Sequence, residues 1–493
     1  MTIFIKKLTI QNYKCFENEP ISLAVPDGNR GSGLNILIGE NGNGKTTVLE
    51  AINYLTLNSF SAENKLSIND FCDFKKEIVV EAETDEFNCV SSIDFYKDWS
   101  FKANGISFKA KSRDTKERGN LLSSLFQINN SFISEPNYVK KDGSSGKEID
   151  GRDKIFSKSR INEGELNIFF FDKNRTRQIT TGNYKTAFEK ICDDLNWNFV
   201  RNLTDENSNT ILQNVSGEYF KNVDGIANKN FGKKTAKELK EFFGKEEFEK
   251  VKIELLNILH PFSNSFFALR DENALSQINV GDLGSGVEII LTLLILKNIA
   301  GASKGSIIYL IDEPELHLHP KAQDKLLDLL LEEAKNKQII VSTHSPYLFK
   351  GAISQNAKLL LFTRNNQDQI EVADTRDKGW GILPRSPSWG EINYSAYDLP
   401  TTEFHNELYG YLQEKEQKYI LEDIEAYFET KNITKSKKWT KIKNGQSQTP
   451  EDVTLMTFVR NSIHHPENTL NGEYTPEELK SSIEELIKLI RNP

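Results

Sequence analysis

The sequence predicts an α/β fold followed by a helical region, and three observations predict it. First, Leu34-Asn35-Ile36-Leu37-Ile38 is an apolar run of strand length. A glycine-rich turn follows it, then a helical pattern from Thr46 to Leu57 with Val48, Leu49, Ile52 and Leu55 on one face. Second, Ile307-Ile308-Tyr309-Leu310-Ile311 and Gln338-Ile339-Ile340-Val341-Ser342 are further runs of the kind found in strands covered on both faces. Third, residues 403–493 read as helices, broken by a polar, Lys-rich stretch from Lys435 to Thr449.

The other elements follow in order. Residues 3–25 alternate around Leu8, Ile10, Tyr13, Phe16 and Ile21, the pattern of a strand pair. Pro26 to Gly33 is loop by composition. Ile78 to Ala82 and Ile93 to Tyr96 are candidate strands, Lys140 to Arg160 is a polar loop, and Asn167 to Phe171 is a short buried strand. Residues from about 183 to 265 read as a mostly helical insertion, and Lys358 to Phe362 as another core strand. The predicted domains are therefore 1–402 and 403–493.

The chain has 493 residues, with 62 Lys and Arg against 71 Asp and Glu, a net charge of −9. This balance argues against a surface coated for nucleic acid but leaves room for a local basic groove. Cys15, Cys72, Cys89 and Cys192 are far apart and form no C-x-x-C pair. That suits a reducing compartment and gives no zinc or disulfide framework. The N-terminal residues are strand-like rather than a signal peptide, and no apolar run is long enough to span a bilayer. The expectation is a cytoplasmic protein with no membrane partner.

Gly39-Glu40-Asn41-Gly42-Asn43-Gly44-Lys45-Thr46 fills the pattern G-x-x-x-x-G-K-[ST] at every fixed position, between a strand and a helix. Glycines let successive backbone N–H groups turn inward around phosphate oxygens, and the helix start adds its positive dipole end. Gly39, Asn41, Gly42, Gly44, Lys45, Thr46 and Thr47 are the candidate nucleotide-binding residues. Lys45 would reach the β- and γ-phosphates of ATP, and the Thr46 hydroxyl would ligate Mg²⁺.

Asp312 and Glu313 close the second strand run, in the crevice where parallel α/β sheets bind ligands. Asp312 would hold the Mg²⁺ shell, and Glu313 would act as general base on the attacking water. His344, after the third run, could donate to the γ-phosphate. Ser285 and Gly286, within Gly281-Asp282-Leu283-Gly284-Ser285-Gly286-Val287-Glu288, open the helix Ile289 to Ile299 and make a second anion site. One nucleotide needs one phosphate loop, so a second anion site suggests a partner chain closing over the nucleotide. His317 and His319 read as a structural turn rather than a metal site, with no third ligand nearby.

Together these motifs resemble the ATP-binding-cassette ATPases of the RecF, SMC and overcoming-lysogenization-defect group. Leu8 to Phe16 resembles their opening strand, Gly39 to Thr46 their Walker A motif and Leu283 to Glu288 their signature motif. Ile307 to Glu313 resembles Walker B, Leu316 to Pro320 the D-loop and His344 the switch histidine. The resemblance covers about residues 1–375. It implies a cassette-type head: a mixed β-sheet with flanking helices, a helical insertion and a C-terminal all-α domain. It implies ATP hydrolysis in a homodimer or larger homo-oligomer, with two heads sandwiching two ATPs. It also implies a role in anti-phage defence or DNA surveillance, with DNA or a phage-derived trigger and a separate effector protein. Two departures stand out: Ser67 to Phe74 offers Asn69 and Asp70 but no Q-loop glutamine, and the insertion lacks the long coiled coil of the SMC branch. A RecF-like DNA-repair ATPase is the alternative.

Nuclease members of that group carry a Toprim domain with a D-x-D metal pair, and no D-x-D follows His344. Instead, Arg460-Asn461-Ser462-Ile463-His464-His465 has the R-N-x-x-x-H spacing and resembles the HEPN ribonuclease motif. Arg460 would neutralise a phosphate, and His465 would act as acid or base in attack by a ribose 2′-hydroxyl. Pro466 ends the helix near His465, so His464 is the alternative partner on the face of Arg460. The other reading is a polar helix end that packs or caps. Trp389 to Tyr411 is aromatic-rich, joins the two predicted domains, and reads either as a docking surface or as buried interdomain core. Thr475, Pro476 and Glu478 form a capping-box start for the last helix.

Overall fold

The computed structural model describes residues 3–55, 66–93, 96–112, 122–127, 133–135, 138–139, 145–146, 166–171, 232–246, 248, 251–254, 266–270, 277–279, 285–300, 306–365, 367–377, 381–443 and 445–491. Two compact units emerge. One comprises Met1–Lys358 and Arg364–Val372, the other Leu359–Thr363 and Ala373–Pro493. Residues 373–401 thus group with the C-terminal unit, whereas the compositional change in the sequence falls near residue 402.

In the first unit, an antiparallel sheet places Phe16–Ser22, Ile5–Tyr13, Ile78–Ile93, Tyr96–Ser112 and Leu122–Gln127 side by side in that order. Its strands alternate: Leu8 and Ile10 are buried while Lys6 and Lys7 face water. The strand expected over Ile93 to Tyr96 is corrected here. One strand ends at Ile93, the next begins at Tyr96, and the two residues pair with each other. A run of strand-forming residues does not by itself mark where one strand ends.

Four parallel strands form the core of this unit, in the order Leu166–Phe171, Ser306–Asp312, Gln338–Ser342 and Leu34–Gly39. The last three are buried along their whole length, as strands covered on both faces must be. Two buried amides lie among these apolar runs. Gln338 donates to the carbonyls of Ile5 (2.6 Å) and Ala24 (2.9 Å) and accepts from the Ile5 N–H (2.9 Å). Asn35 accepts from the Ala24 N–H (2.7 Å) and donates to its carbonyl (3.0 Å). These amides tie the N-terminal segment to the parallel strands and satisfy backbone groups that water does not reach.

Helix Lys45–Tyr54 buries Val48, Leu49 and Ile52 completely. At its end, the Tyr54 ring stacks on Phe108 (5.2 Å) and meets Tyr13 edge-on (5.8 Å), joining the helix to the antiparallel sheet. Helix Ser285–Ala300 contains the predicted Ile289 to Ile299. Its Lys297 pairs with Glu238 at 3.0 Å and Glu333 at 3.4 Å, linking helices Lys233–Phe243 and Pro320–Glu333. Most of the predicted insertion at 183–265 lies outside the described residues. Within them it holds the Lys233–Phe243 helix and the strand Val251–Glu254. The predicted loop Lys140 to Arg160 also lies almost wholly outside them.

The second unit packs helices Trp389–Tyr397, Thr402–Glu416, Leu421–Thr430, Leu455–His464 and Pro476–Arg491. Phe404, Leu408, Leu412, Ile424, Phe428, Val459, Ile483 and Leu486 form its core. Of the aromatic segment, Phe404 and Tyr409 lie in this unit's own core rather than in a core between domains. Thr401 and Thr454 cap their helices, and Thr475 and Glu478 exchange reciprocal hydrogen bonds of 3.2 Å, the capping box. The break from Lys435 to Thr449 contributes short strands: Lys437–Trp439 pairs with Glu451–Val453, and Ile442–Lys443 with Gln446–Ser447. Among the described residues no helix is long and apolar enough to cross a membrane.

Gln338→Leu keeps the volume but strips partners from the buried Ile5 N–H and the Ile5 and Ala24 carbonyls. The expected loss is about 1–3 kcal/mol for the orphaned groups, read as a lower denaturant midpoint for the first unit.

Candidate nucleotide site

The loop after Leu34–Gly39 turns through left-handed backbone at Gly42 (φ 82°) and Gly44 (φ 84°). Gly44 is required twice over. A Cβ there would stand 2.8 Å from the Cys15 sulfur and 2.8 Å from the Phe16 ring. The β-hairpin turn at Lys14 and Cys15 therefore abuts the start of the phosphate-loop helix. Asn41 faces water, whereas Thr47 is buried and hydrogen-bonds the Cys15 thiol.

Lys45 is buried, and its ammonium donates to the carbonyls of Gly39 and Glu40, both at 2.8 Å. Burial pushes its pKa down to about 8, and the charges of Glu313, Asp312, Glu315 and Glu40 oppose that fall. A buried ammonium held by carbonyls at the mouth of a glycine loop is matched to an incoming anion such as phosphate. The Thr46 hydroxyl donates to Asp312 Oδ1 at 2.9 Å. Asp312 is fully buried at its strand's end, and the Ser342 hydroxyl donates to the same oxygen. Thr46 and Asp312, which the sequence pairs only by analogy, thus lie side by side. Their hydroxyl and carboxylate are the hard oxygen donors that magnesium takes.

Glu313 adopts left-handed backbone (φ 47°), uncommon for a residue with a side chain. Its N–H donates to the Ser342 carbonyl at 3.0 Å, which fixes the turn. Strain held in this way by surrounding hydrogen bonds is a mark of functional positions. His344 Nε2 lies 3.9 Å from Glu313 Oε1, so the two expected catalytic groups come together. His319 caps helix Pro320–Glu333, its Nδ1 accepting from the Lys321 N–H at 3.4 Å.

Two residues at the site carry no motif. Arg364 donates to Asn43 Oδ1 (3.2 Å) and to the Gly42 carbonyl (3.1 Å), bracing the phosphate loop from outside. Glu315 accepts from the loop that carries His344. Their only sequence signal is position, Arg364 just past the Lys358 to Phe362 run and Glu315 just past Asp312 and Glu313. Ser285 begins its helix as expected, and a Cβ on Gly286 would come within 2.9 Å of the His317 carbonyl. The preceding Gly281 to Gly284 lies outside the described residues.

In the second unit, helix Leu455–His464 holds both Arg460 and His464. Burial and the nearby Arg460 charge lower the His464 pKa. The helix stops one residue before His465, whose ring faces Glu467 at 3.2 Å. Arg460 itself donates to Asn461 Oδ1 at 3.0 Å.

A family model described as an AAA ATPase domain matches residues 3–349. The chain belongs to this family. The matched span includes Gly39 to Thr46, Asp312, Glu313 and His344, and the chain is an ATPase. The protein named OLD nuclease from Thermus scotoductus is 24% identical over 400 residues, covering 77% of this chain and 66% of that one. The chain therefore spans just under two thirds of that nuclease's length. The protein named "Retron Vc95 probable ATPase" from Vibrio cholerae is 23% identical over 457 residues, covering 83% of each chain. A solved structure titled as an SMC head bound to the C-terminal winged-helix domain of ScpA is 18% identical. It covers 75% of this chain and 97% of its own, with a TM-score of 0.43.

Lys45 gives the site a pH signature. Its free-state pKa of about 8 rises when a phosphate anion pairs with it, so binding above pH 8 takes up a proton. ATP affinity should therefore fall as pH rises beyond about 8, by up to about tenfold per unit. Calorimetry at pH 7 to 9.5 should show this slope, and Lys45→Met should bind weakly with no such dependence.

Proposed function

We propose that this ATPase works as a nucleotide-gated dimer that controls an effector in anti-phage defence or DNA surveillance. The carrying observation is the 2.9 Å contact between Thr46 and Asp312 beside a buried Lys45. These residues come from separate parts of the chain and have the donor chemistry that a magnesium–nucleotide complex needs. Thr46 and Asp312 would hold Mg²⁺, which neutralises charge on the β- and γ-phosphates. Lys45 and the N–H groups of Gly42, Gly44, Thr46 and Thr47 orient the phosphates. Glu313 accepts the proton of the attacking water, and His344 donates toward the γ-phosphate.

Ser285 and Gly286 at their helix start would meet the phosphates bound by a second copy, so ATP holds two heads together and hydrolysis releases them. Relatives named as an overcoming-lysogenization-defect nuclease and a retron ATPase support the defence setting. The effector, a nuclease or toxin, is a separate protein, and the trigger is DNA or a phage-derived molecule. In a RecF-like repair role, the same dimer would instead bind DNA more tightly with ATP and lose it with salt.

Glu313→Gln keeps the shape and removes the base. It should bind ATP, lose turnover by about a hundredfold or more, and run as a larger species in light scattering with ATP. Adding Ser285→Arg should return that species to the size seen without nucleotide. Undiminished turnover in Glu313→Gln would remove this residue from the reaction. Capture from the host with Glu313→Gln and ATP should retain the effector.

A second reading rests on Arg460 and His464 sharing helix Leu455–His464, with His465 just beyond its end. These residues are four apart on one helix, the placement of a metal-independent ribonuclease pair with His465 as the alternative base. On this reading the purified protein cuts RNA in EDTA and leaves 2′,3′-cyclic phosphate ends. Arg460→Ala abolishes cleavage and spares ATP hydrolysis, and comparison of His464→Ala with His465→Ala identifies the base. No cleavage by the ATP-competent protein excludes this reading.

A further inference from the structure

We infer that Glu315 is a positioning residue for hydrolysis, holding the backbone of His344 at the working distance from Glu313. The inference rests on the reading of Glu313 and His344 above. Glu315 Oε1 accepts from the Thr343 hydroxyl (2.7 Å), the His344 N–H (2.7 Å) and the Ser345 N–H (3.1 Å). Three consecutive residues therefore aim a donor at one carboxylate oxygen. The middle residue carries the imidazole that lies 3.9 Å from Glu313.

Packing alone does not call for a carboxylate here. Glu315 is 8% exposed, and among the described residues no lysine, arginine or histidine forms an ion pair with it. Burial and the nearby Glu313 charge raise its pKa, against the pull of hydrogen bonds from the Thr343 hydroxyl, its own backbone N–H and the His344 N–H. Its Oε2 is buried with no hydrogen-bond partner among the described residues, so a carboxylate here is costly to keep even with the Lys45 charge nearby. In return it draws N–H groups into short, charge-assisted bonds that a neutral acceptor holds more loosely. The next turn is locked as well. The Ser345 hydroxyl donates to Gln323, and Gln323 donates to the Leu318 carbonyl at 2.9 Å.

The carboxylate belongs to a short segment bounded by left-handed residues, Glu313 (φ 47°) and His317 (φ 66°). The His317 carbonyl packs closely against Gly286, at the helix start proposed to engage the second copy. Glu315 thus ties one copy's own helix start to its own His344. A shift of that segment on dimer formation would move the His344 loop with it, so the grip of Glu315 sets when the imidazole is placed for turnover.

The test is a mutant cycle with Glu315→Ala, His344→Ala and the double variant. It reads ATP turnover, ATP affinity by calorimetry and the His344 imidazole resonances by NMR. Glu315→Ala should lower kcat by about a hundredfold, a loss typical of one misplaced catalytic group. ATP affinity should stay within about threefold, because Lys45 and Thr46 are untouched. The double variant should lose no more than His344→Ala, since both changes disable one device. Glu315→Gln, which keeps an acceptor oxygen, should recover most of the turnover. Thr343→Val, which removes one donor, should cost only a few-fold and serves if Glu315→Ala does not fold.

Additive losses in the double variant would overturn the inference. So would unchanged turnover in a folded Glu315→Ala or, should that variant not fold, in Thr343→Val. If His344→Ala alone leaves turnover unchanged, the assignment of His344 fails instead. The His344 resonances then decide on Glu315 separately: no change between the wild type and a folded Glu315→Ala, or Thr343→Val should that variant not fold, rejects it as the holder of that loop.

Discussion

The first unit is organised around one buried oxygen. Asp312 Oδ1, at the end of a strand with no exposed residue, accepts from Thr46 and Ser342 together. Thr46 opens the phosphate-loop helix and Ser342 closes the neighbouring strand. A single carboxylate therefore fixes the ends of three parallel strands relative to one another. Parallel strands converge at their C-terminal ends on the crevice where α/β proteins bind ligands. The Asp312 contact turns that general property into a site with defined donors.

Charge is arranged around this oxygen with little water to screen it. Asp312, Glu313 and Glu315 stand close enough to Lys45 to support its charge, yet burial still lowers its pKa to about 8. Three carboxylates thus stand against one ammonium whose charge burial weakens. The same crowding makes the segment from Glu313 to His317 a mechanical element. Its ends are held in left-handed backbone, and its middle is bonded to the His344 loop. Changes on one side of the segment are felt on the other because hydrogen-bonded, buried groups have few alternative positions.

The second unit follows a different rule. Its helices are fixed by threonine caps and an apolar core, and Glu425 accepts from the Thr454 hydroxyl at 2.7 Å. Its Arg460 and His464 share a helix, while His465 lies beyond the helix end beside Glu467. The spacing of a short motif names candidates, but the helix terminus decides which of them lie on one face.

Local chemistry made parts of both units legible from sequence alone. Left-handed turns in the phosphate loop call for glycine, continuous apolar runs call for a covered parallel sheet, and Thr475 with Glu478 marks a helix start. These signals are short-range and survive in any homologous or isolated reading of the chain. Contacts between distant segments are not encoded by spacing. Nothing in the sequence distinguishes Arg364 from other arginines, or the Glu315 carboxylate from the acidic residues around it. Their roles arise because the sheet brings residues 364 and 43, and 315 and 344, within hydrogen-bond range. The strand end at Ile93 likewise appears only in the pairing of Ile93 with Tyr96. The sequence by itself determined the phosphate loop and the strands that present it. Only the tertiary structure decided which buried carboxylate holds the histidine loop, because that choice depends on where separate strands end in space.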